Sequence, residues 1–460
     1  MIRLKLYLVG ILLLFVKLHA YSQAPSELSL SRAWELTLAN YPLFAEDQAQ
    51  IKAASYQKQL IQHQFLPQLQ LQLQNTYGSY AGSIGSFFPL PGIFNVSASP
   101  AELTGSPHAM TNLYGSLLMD WEIYAFGRRG KQLEAASIQE QAYKSRYHAS
   151  QIKVRSEISS RYLDILYNQV NVEWAHRNAD RMQEILALAK SLAEAGLKPG
   201  ADTLFALSAY QQAVGEGENW QGKAFESRTA LSEFMAFPTD TLSFSTTSYL
   251  TPTEANLFTA PDSVSNHPYL ITLQHEVSRA HVQRQLTRRN LFPSLSLLGG
   301  ISTRGSGYSA GGIGEQWSAG FGNRADNYLV GIGLTWNLTS VYNNRLENKL
   351  AEQNTHISQS RYKTQALKLH TTLRAIEKRL SEQQKQLIST KSAVHSARQA
   401  YALYMTRYES GLISMTELLQ LQLLLQQAER SEIEAFHQFW NQVILKAEFT
   451  GDFSYLSTHF

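Results

Sequence analysis

Cysteine is absent from all 460 residues, which excludes disulfides, thiolate metal sites and a lipidated N-terminal cysteine. Long apolar runs are nearly absent too. The one present lies between Leu6 and Val16, behind Arg3 and Lys5 and ahead of the small Ala20. It is shorter than the roughly 20 apolar residues of a spanning helix, and reads as a secretion signal over residues 1–20. The mature chain is expected to leave the cytoplasm with no transmembrane helix. An excess charge of one sign is also missing. Losing Arg3, Lys5 and Lys17 leaves 37 basic residues against 37 acidic ones. A nucleic-acid binder needs a basic excess or stripe, so no nucleic-acid partner is expected. Proline is missing from two long stretches, residues 127–196 and 343–411.

What is present comes twice. Tyr41-Pro42 is followed 25 residues on by Leu66-Pro67, and His267-Pro268 is followed 25 residues on by Phe292-Pro293. Asp120-Trp121-Glu122 and Thr335-Trp336-Asn337 recur at an offset of 215. Ala195-Gly196-Leu197 and Ser410-Gly411-Leu412 share that offset, as do Thr203-Leu204 and Leu418-Leu419. Landmarks repeated in the same order mark an internal duplication rather than an array of short repeats. The domain reading is a segment at 21–40, a first repeat at 41–235, a linker or irregular segment at 236–266, a second repeat at 267–450 and a tail at 451–460.

Each repeat holds two strands with two-faced patterns, at 67–78, 112–125, 293–303 and 326–340. Leu69, Leu71 and Leu73 alternate with Gln68, Gln70, Gln72 and Gln74. Leu113, Leu117, Met119, Trp121 and Ile123 alternate with Tyr114, Ser116, Asp120 and Glu122. The third strand, with Leu295, Leu297 and Ile301, reads as the shortest. The fourth carries Tyr328, Val330, Ile332, Leu334, Trp336 and Leu338 on one face. Any half-buried antiparallel sheet alternates in this way. Strands of about 10 residues, Trp at matching strand ends and long Gly/Ser-rich loops on one side (79–111 and 303–326) favour membrane strands. Four strands cannot enclose water, and open edges in lipid cost several kcal/mol per unpaired group. The strands must therefore pair with those of other copies, and three copies supply about twelve.

The proline-free stretches read as helices at 127–195 and 343–410, each of order 100 Å long. Leu373, Ile376, Leu380 and Leu387 have coiled-coil spacing. Each helix ends at a glycine, Gly196 or Gly411, a natural residue for the turn. Return helices follow at 201–234 and 415–449, and shorter helices precede each strand pair at 43–64 and 269–290. A polar-faced helix of such length needs neighbours along its whole length.

Phe65-Leu66-Pro67, Tyr124-Ala125-Phe126-Gly127-Arg128-Arg129 and Arg407-Tyr408-Glu409-Ser410-Gly411-Leu412-Ile413-Ser414, in this duplicated order, carry a resemblance to the TolC-like outer membrane efflux proteins. It covers essentially the whole mature chain. The fold class it implies is an α+β membrane protein, internally duplicated. Four strands would go to a trimeric transmembrane β-barrel, above a long periplasmic α-helical barrel. It implies the exit duct of a tripartite efflux or type I secretion system, in the outer membrane, without catalysis or cofactor. Implied partners are two further copies, outer-membrane lipid, a periplasmic adaptor (membrane fusion protein) and an inner-membrane transporter of RND or ABC type. It places adaptor docking at the helix turns, with Gly196, Leu197, Gly411 and Leu412 as candidates. It places a gate on the return helices at Glu417 and Gln420, with Asp202 and Phe205 as first-repeat counterparts. Carboxylates gathered on an axis would repel one another and attract cations. The plainer reading of Glu417 and Asp202 is an acidic residue in a first helical turn, where the dipole favours it.

Other motifs point elsewhere. Gly307-Tyr308-Ser309-Ala310-Gly311 matches a hydrolase elbow, which requires a strand before it and a helix after it. Its place between two strands argues for coincidence and against a surface hydrolase. His267, His275 and His281 lack metal-ligand spacing. Arg128, Arg129 and Lys131 open a helix where the dipole disfavours them; they read as a solvated cluster, or as contacts to lipid phosphates. A structural periplasmic coiled-coil protein is the remaining alternative, and it leaves the four amphipathic strands unexplained.

Overall fold

The computed structural model describes residues 27–80, 108–236, 242–252, 266–309, 312–313, 316–322 and 324–460. The expected signal at 1–20 and most of the first strand–strand loop lie outside them. In chain order the elements are α1 (Leu30–Asn40), α2 (Pro42–His63), β1 (Gln68–Tyr80), β2 (His108–Tyr124), α3 (Arg128–Glu194), α4 (Gly200–Met235) and α5 (Thr247–Leu250). Then come α6 (Pro268–Arg289), β3 (Ser294–Ser306), β4 (Tyr308–Ser309), β5 (Gly312–Ile313), β6 (Arg324–Thr335), α7 (Ser340–Glu409), α8 (Met415–Thr450) and α9 (Ser454–His459). No helix among the described residues is long and apolar enough to cross a membrane. The chain forms two compact units.

The first unit comprises the described residues within 27–51, 141–274 and 360–460. Its core is aromatic and aliphatic, with Trp174, Trp440, Tyr249, Phe436, Phe439, Leu163 and Leu166 almost wholly buried. Each such side chain contributes roughly 1.5–3 kcal/mol of burial. Leu373, Ile376, Leu380 and Leu387 are all buried, so their heptad-like spacing is the packed seam of α7. The segments outside the two repeats join this core. Trp34 of α1 and Leu456 of α9 are buried, and Leu30 N–H donates to Phe460 C=O at 3.0 Å. The stretch between the repeats is more than a linker: Phe244 and Tyr249 are buried, and Trp440 Nε1–H donates to Tyr249 C=O at 2.9 Å.

The second unit comprises residues 52–140 and 275–359 and holds an antiparallel sheet in the order β1-β2-β3-β6. Leu71 pairs with Leu117, Leu117 with Ile301, and Ile301 with Tyr328. Directly opposed residues share a face, so this register merges the four apolar patterns into one face. The exposure is extreme for a protein surface: Leu73 is 75% exposed, Tyr328 87% and Val330 75%. The first and last strands in the order, β1 and β6, each leave one edge unpaired among the described residues.

All four main strands differ in length from the sequence reading: β1 runs on to Tyr80 and β2 starts at His108, and β3 and β6 differ for local reasons. β3 has 13 residues, as many as β1, because Gly299 and Gly300 interrupt its alternation without interrupting its pairing. β6 stops at Thr335 although the alternation runs on through Trp336 and Leu338. Its partner begins at Ser294, just after Pro293, so no ladder is available beyond Thr335. Asn337 then turns the chain into α7, its side chain accepting from Ser340 N–H at 3.2 Å. The Gly307–Gly311 motif holds the two-residue strand β4 and is followed by β5, not by a helix.

The matched tryptophans pin the strand ends. Trp121 Nε1–H donates to Phe65 C=O, and Trp336 Nε1–H to Leu291 C=O, both at 2.9 Å. Each therefore ties a strand to the turn just ahead of Pro67 or Pro293. Glu122 accepts from both Arg128 and Arg129, the latter at 3.1 Å, and Lys131 pairs with Glu134 at 2.6 Å. These partners offset the unfavourable dipole at the start of α3, so this cluster is ion-paired rather than merely solvated.

Candidate functional site

The turns ending α3 and α7, both in the first unit, have the same backbone. Gly196 and Gly411 each have φ of +74°, the left-handed region that glycine enters without strain. Leu197 N–H bonds to Leu192 C=O and Gly196 N–H to Ala193 C=O; Leu412 N–H bonds to Arg407 C=O and Gly411 N–H to Tyr408 C=O. This is the Schellman arrangement, which satisfies the last helical carbonyls. The leucine after the glycine normally folds back onto its own helix. Here Leu197 is 70% and Leu412 75% exposed.

Beneath the turns, Met182, Ile185, Ala189, Ala206, Tyr408, Met415 and Leu418 form a separate buried cluster. Lys198 joins the turns: its Nζ donates to Ile413 C=O at 2.8 Å and Gly411 C=O at 3.4 Å, and lies 5.3 Å from the Tyr408 ring centroid. Sequence reasoning missed Lys198, because a lysine beside a turn glycine carries no pattern of its own. It missed Tyr408 as well, although Tyr408 stands in the family-like segment. The Tyr408 hydroxyl donates to Asp202 at 3.4 Å. Burial first, then the Asp202 charge, pushes the Tyr408 phenol up to about 12.

The two acidic candidates are used differently. Ser414 caps α8, accepting from Glu417 N–H at 3.2 Å; the Glu417 carboxylate accepts from Ser414 N–H at 2.8 Å. This capping box, with Lys198 nearby, holds the Glu417 carboxyl below the usual carboxylate range. Pro199 caps α4 without a side-chain bond, which leaves Asp202 free to accept from Tyr408. Phe205 is 60% exposed and Gln420 is exposed. No hydrogen bond or ion pair among the described residues of one chain joins any two of Glu417, Gln420, Asp202 and Phe205.

Further along the helices is a buried polar cluster that the sequence did not announce. Glu429 of α8 accepts from Trp174 Nε1–H at 3.1 Å, from Arg181 at 2.7 and 3.3 Å, and from Arg398 at 3.2 Å. Gln422 donates to Asn178 at 2.8 Å. Together these bonds link α3, α7 and α8. His267 is a cap, not a ligand: Nδ1 accepts from Tyr269 N–H at 3.2 Å, and Nε2–H donates to Glu448 C=O at 3.0 Å. No metal-capable cluster of three or more such side chains occurs among the described residues.

A sheet with one bare apolar face and two helix turns of the same backbone define the class: an internally duplicated α+β fold. The model of the family "outer membrane efflux protein" matches residues 33–236 and 260–444. The chain belongs to the outer membrane efflux protein family, whose members are transport channels of the outer membrane rather than enzymes. Nodulation protein T of Rhizobium leguminosarum bv. trifolii is 22% identical over 358 residues, covering 76% of this chain and 74% of that protein. The outer membrane protein VceC of Vibrio cholerae matches with a TM-score of 0.75 at 15% identity, over 92% of this chain and 96% of that one. The CmeC outer membrane channel of Campylobacter jejuni matches with a TM-score of 0.74 at 14% identity, over 92% and 86%. These likenesses establish the α+β fold of TolC-like channels.

Proposed function

We propose that three copies of this chain close one transmembrane barrel of about twelve strands and form the exit duct of a tripartite efflux or type I secretion system. The single observation carrying this reading is the sheet: one continuous apolar face and, among the described residues, two unpaired edges, at β1 and β6. In lipid those edges need partners, and other copies supply them. The helical regions of the three copies then form a periplasmic conduit, fed by an inner-membrane transporter of RND or ABC type through a periplasmic adaptor. The exposed Leu197 and Leu412, beside Gly196 and Gly411, are the adaptor-docking surface. An apolar side chain held out on a rigid turn gains by burial against a partner.

The gate lies on the return helices at Asp202, Phe205, Glu417 and Gln420. The Tyr408–Asp202 bond and the Lys198 clamp hold the two turns together, which supports a closed resting state. Single-channel recording in planar bilayers tests the gate. Tyr408→Phe with Lys198→Met is expected to raise conductance, and Glu417→Gln to weaken block by divalent cations. Unchanged conductance and block in all of these variants would remove the gate from these residues.

A further inference from the structure

The strand register puts one end of each main strand at the same level: Gln68 opposes Asp120, Tyr124 opposes Leu295, and Ser294 opposes Thr335. That level is crowded with aromatic rings. Trp121 and Trp336 pin the strand ends there, Phe126 stacks on Phe292 at 6.0 Å, and Tyr342 is 82% exposed. It is also rich in arginine. Arg128 and Arg129 share one carboxylate, that of Glu122. Arg288, Arg289 and Arg345 are exposed, and among the described residues none has a carboxylate partner. Asn344 donates to Thr287 C=O, bringing the start of α7, with Arg345, against the end of α6, with Arg288 and Arg289. Arg289 also lies 5.7 Å from the Phe292 ring centroid, and its guanidinium would touch a side chain placed at Gly127. Helix logic accounts for Arg288 and Arg289, in the last turn of α6, but not for Arg345, near the start of α7.

We infer that Arg288, Arg289 and Arg345 form a binding surface for the phosphate of an anionic phospholipid, in the leaflet nearer the helices. The inference rests on the reading of the sheet as membrane-spanning. Aromatic rings at the end of such a sheet mark the headgroup level. A planar guanidinium matches a phosphate with two parallel donors. Three unpaired cations at that depth give the surface a charge complementary to phosphatidylglycerol rather than to phosphatidylcholine. The neighbouring rings and the exposed Leu338 offer apolar contact to the upper acyl chains.

The full chain, reconstituted in phosphatidylcholine nanodiscs, is titrated with phosphatidylglycerol, and bound lipid is counted by native mass spectrometry. Each arginine near the surface is worth about 1 kcal/mol of attraction, or roughly fivefold in affinity. The Arg288→Gln/Arg289→Gln/Arg345→Gln variant is therefore expected to lose phosphatidylglycerol binding by well over tenfold. The triple lysine variant should keep most of it, and Arg361→Gln, an exposed change elsewhere, all of it. Inorganic phosphate should not compete. Equal phosphatidylglycerol binding by wild type and the triple glutamine variant overturns the inference, as does displacement by inorganic phosphate. If the variants still insert and conduct, that failure leaves the channel reading intact; a wild-type chain that enters no bilayer fails the channel reading itself.

Discussion

Gly196 and Gly411 show how much a single φ can decide. At +74° and with no atom within 4 Å of a built Cβ, alanine at either position meets no clash and pays only backbone strain. Gly411→Ala should destabilise the first unit by about 1–2 kcal/mol, seen as a lower Tm by circular dichroism in detergent. Lys198→Met removes two charge-assisted bonds to carbonyls and should cost about 1–2 kcal/mol by the same measurement. Two titrations belong at this scale. The His267 pKa is lowered, by burial first, and its neutral ring must accept from Tyr269 N–H. Its contribution is present above about pH 6.5 and lost as pH falls through the lower folded value. Glu417 is likewise lowered, by its bonds to Ser414, so its capping contribution is present at neutral pH and lost as pH falls through the carboxylate range. Comparing wild type with His267→Gln and Glu417→Gln across pH checks both: each wild-type advantage should shrink on acidification, the His267 advantage first.

At the scale of the element, Glu429 separates a buried charge from an exposed one. Glu429→Ala leaves Arg181 largely buried and the Trp174 N–H unpaired, and should cost about 3–5 kcal/mol. Arg398 touches the same carboxylate, but its side chain is 66% exposed, so Arg398→Ala should cost under about 1 kcal/mol. Denaturant unfolding of the two variants measures the difference. Elements with a strict local rule were legible in the sequence. The Leu/Gln alternation marked β1, freedom from proline marked α3 and α7, and a glycine marked the end of each. Where the deciding partner lay far along the chain, the sequence was less informative. The alternation through Trp336 and Leu338 outran β6 because the neighbouring strand begins only at Ser294, just after Pro293. The packing of Trp34, Phe244, Tyr249 and Leu456 into one core brings together segments hundreds of residues apart. The candidate gate was only partly legible for the same reason. The family resemblance pointed to Glu417 and Asp202, but which one is tied to its own cap and which to the opposite turn depends on contacts such as Tyr408–Asp202.

For the whole molecule, the sheet poses the governing constraint. Its apolar face carries Leu69, Leu71, Leu73, Tyr328, Val330 and Ile332, all more than half exposed, and the edges of β1 and β6 left free among the described residues are pairing sites that water or another chain must satisfy. On the proposed reading of the sheet as membrane-spanning, a bilayer supplies neither water nor edge partners, and other copies of the chain must supply the pairing. Edge disruption should therefore act on assembly before stability of the single chain. Val330→Pro on the edge strand β6 is expected to shift detergent-purified protein toward monomer, while the helical signal by circular dichroism stays close to wild type. The most direct test of the central claim, that the pore exists only between chains, is the mass of the wild-type protein released intact from detergent micelles. Three copies per particle is the predicted result; a stable single chain that still conducts ions across a bilayer contradicts it.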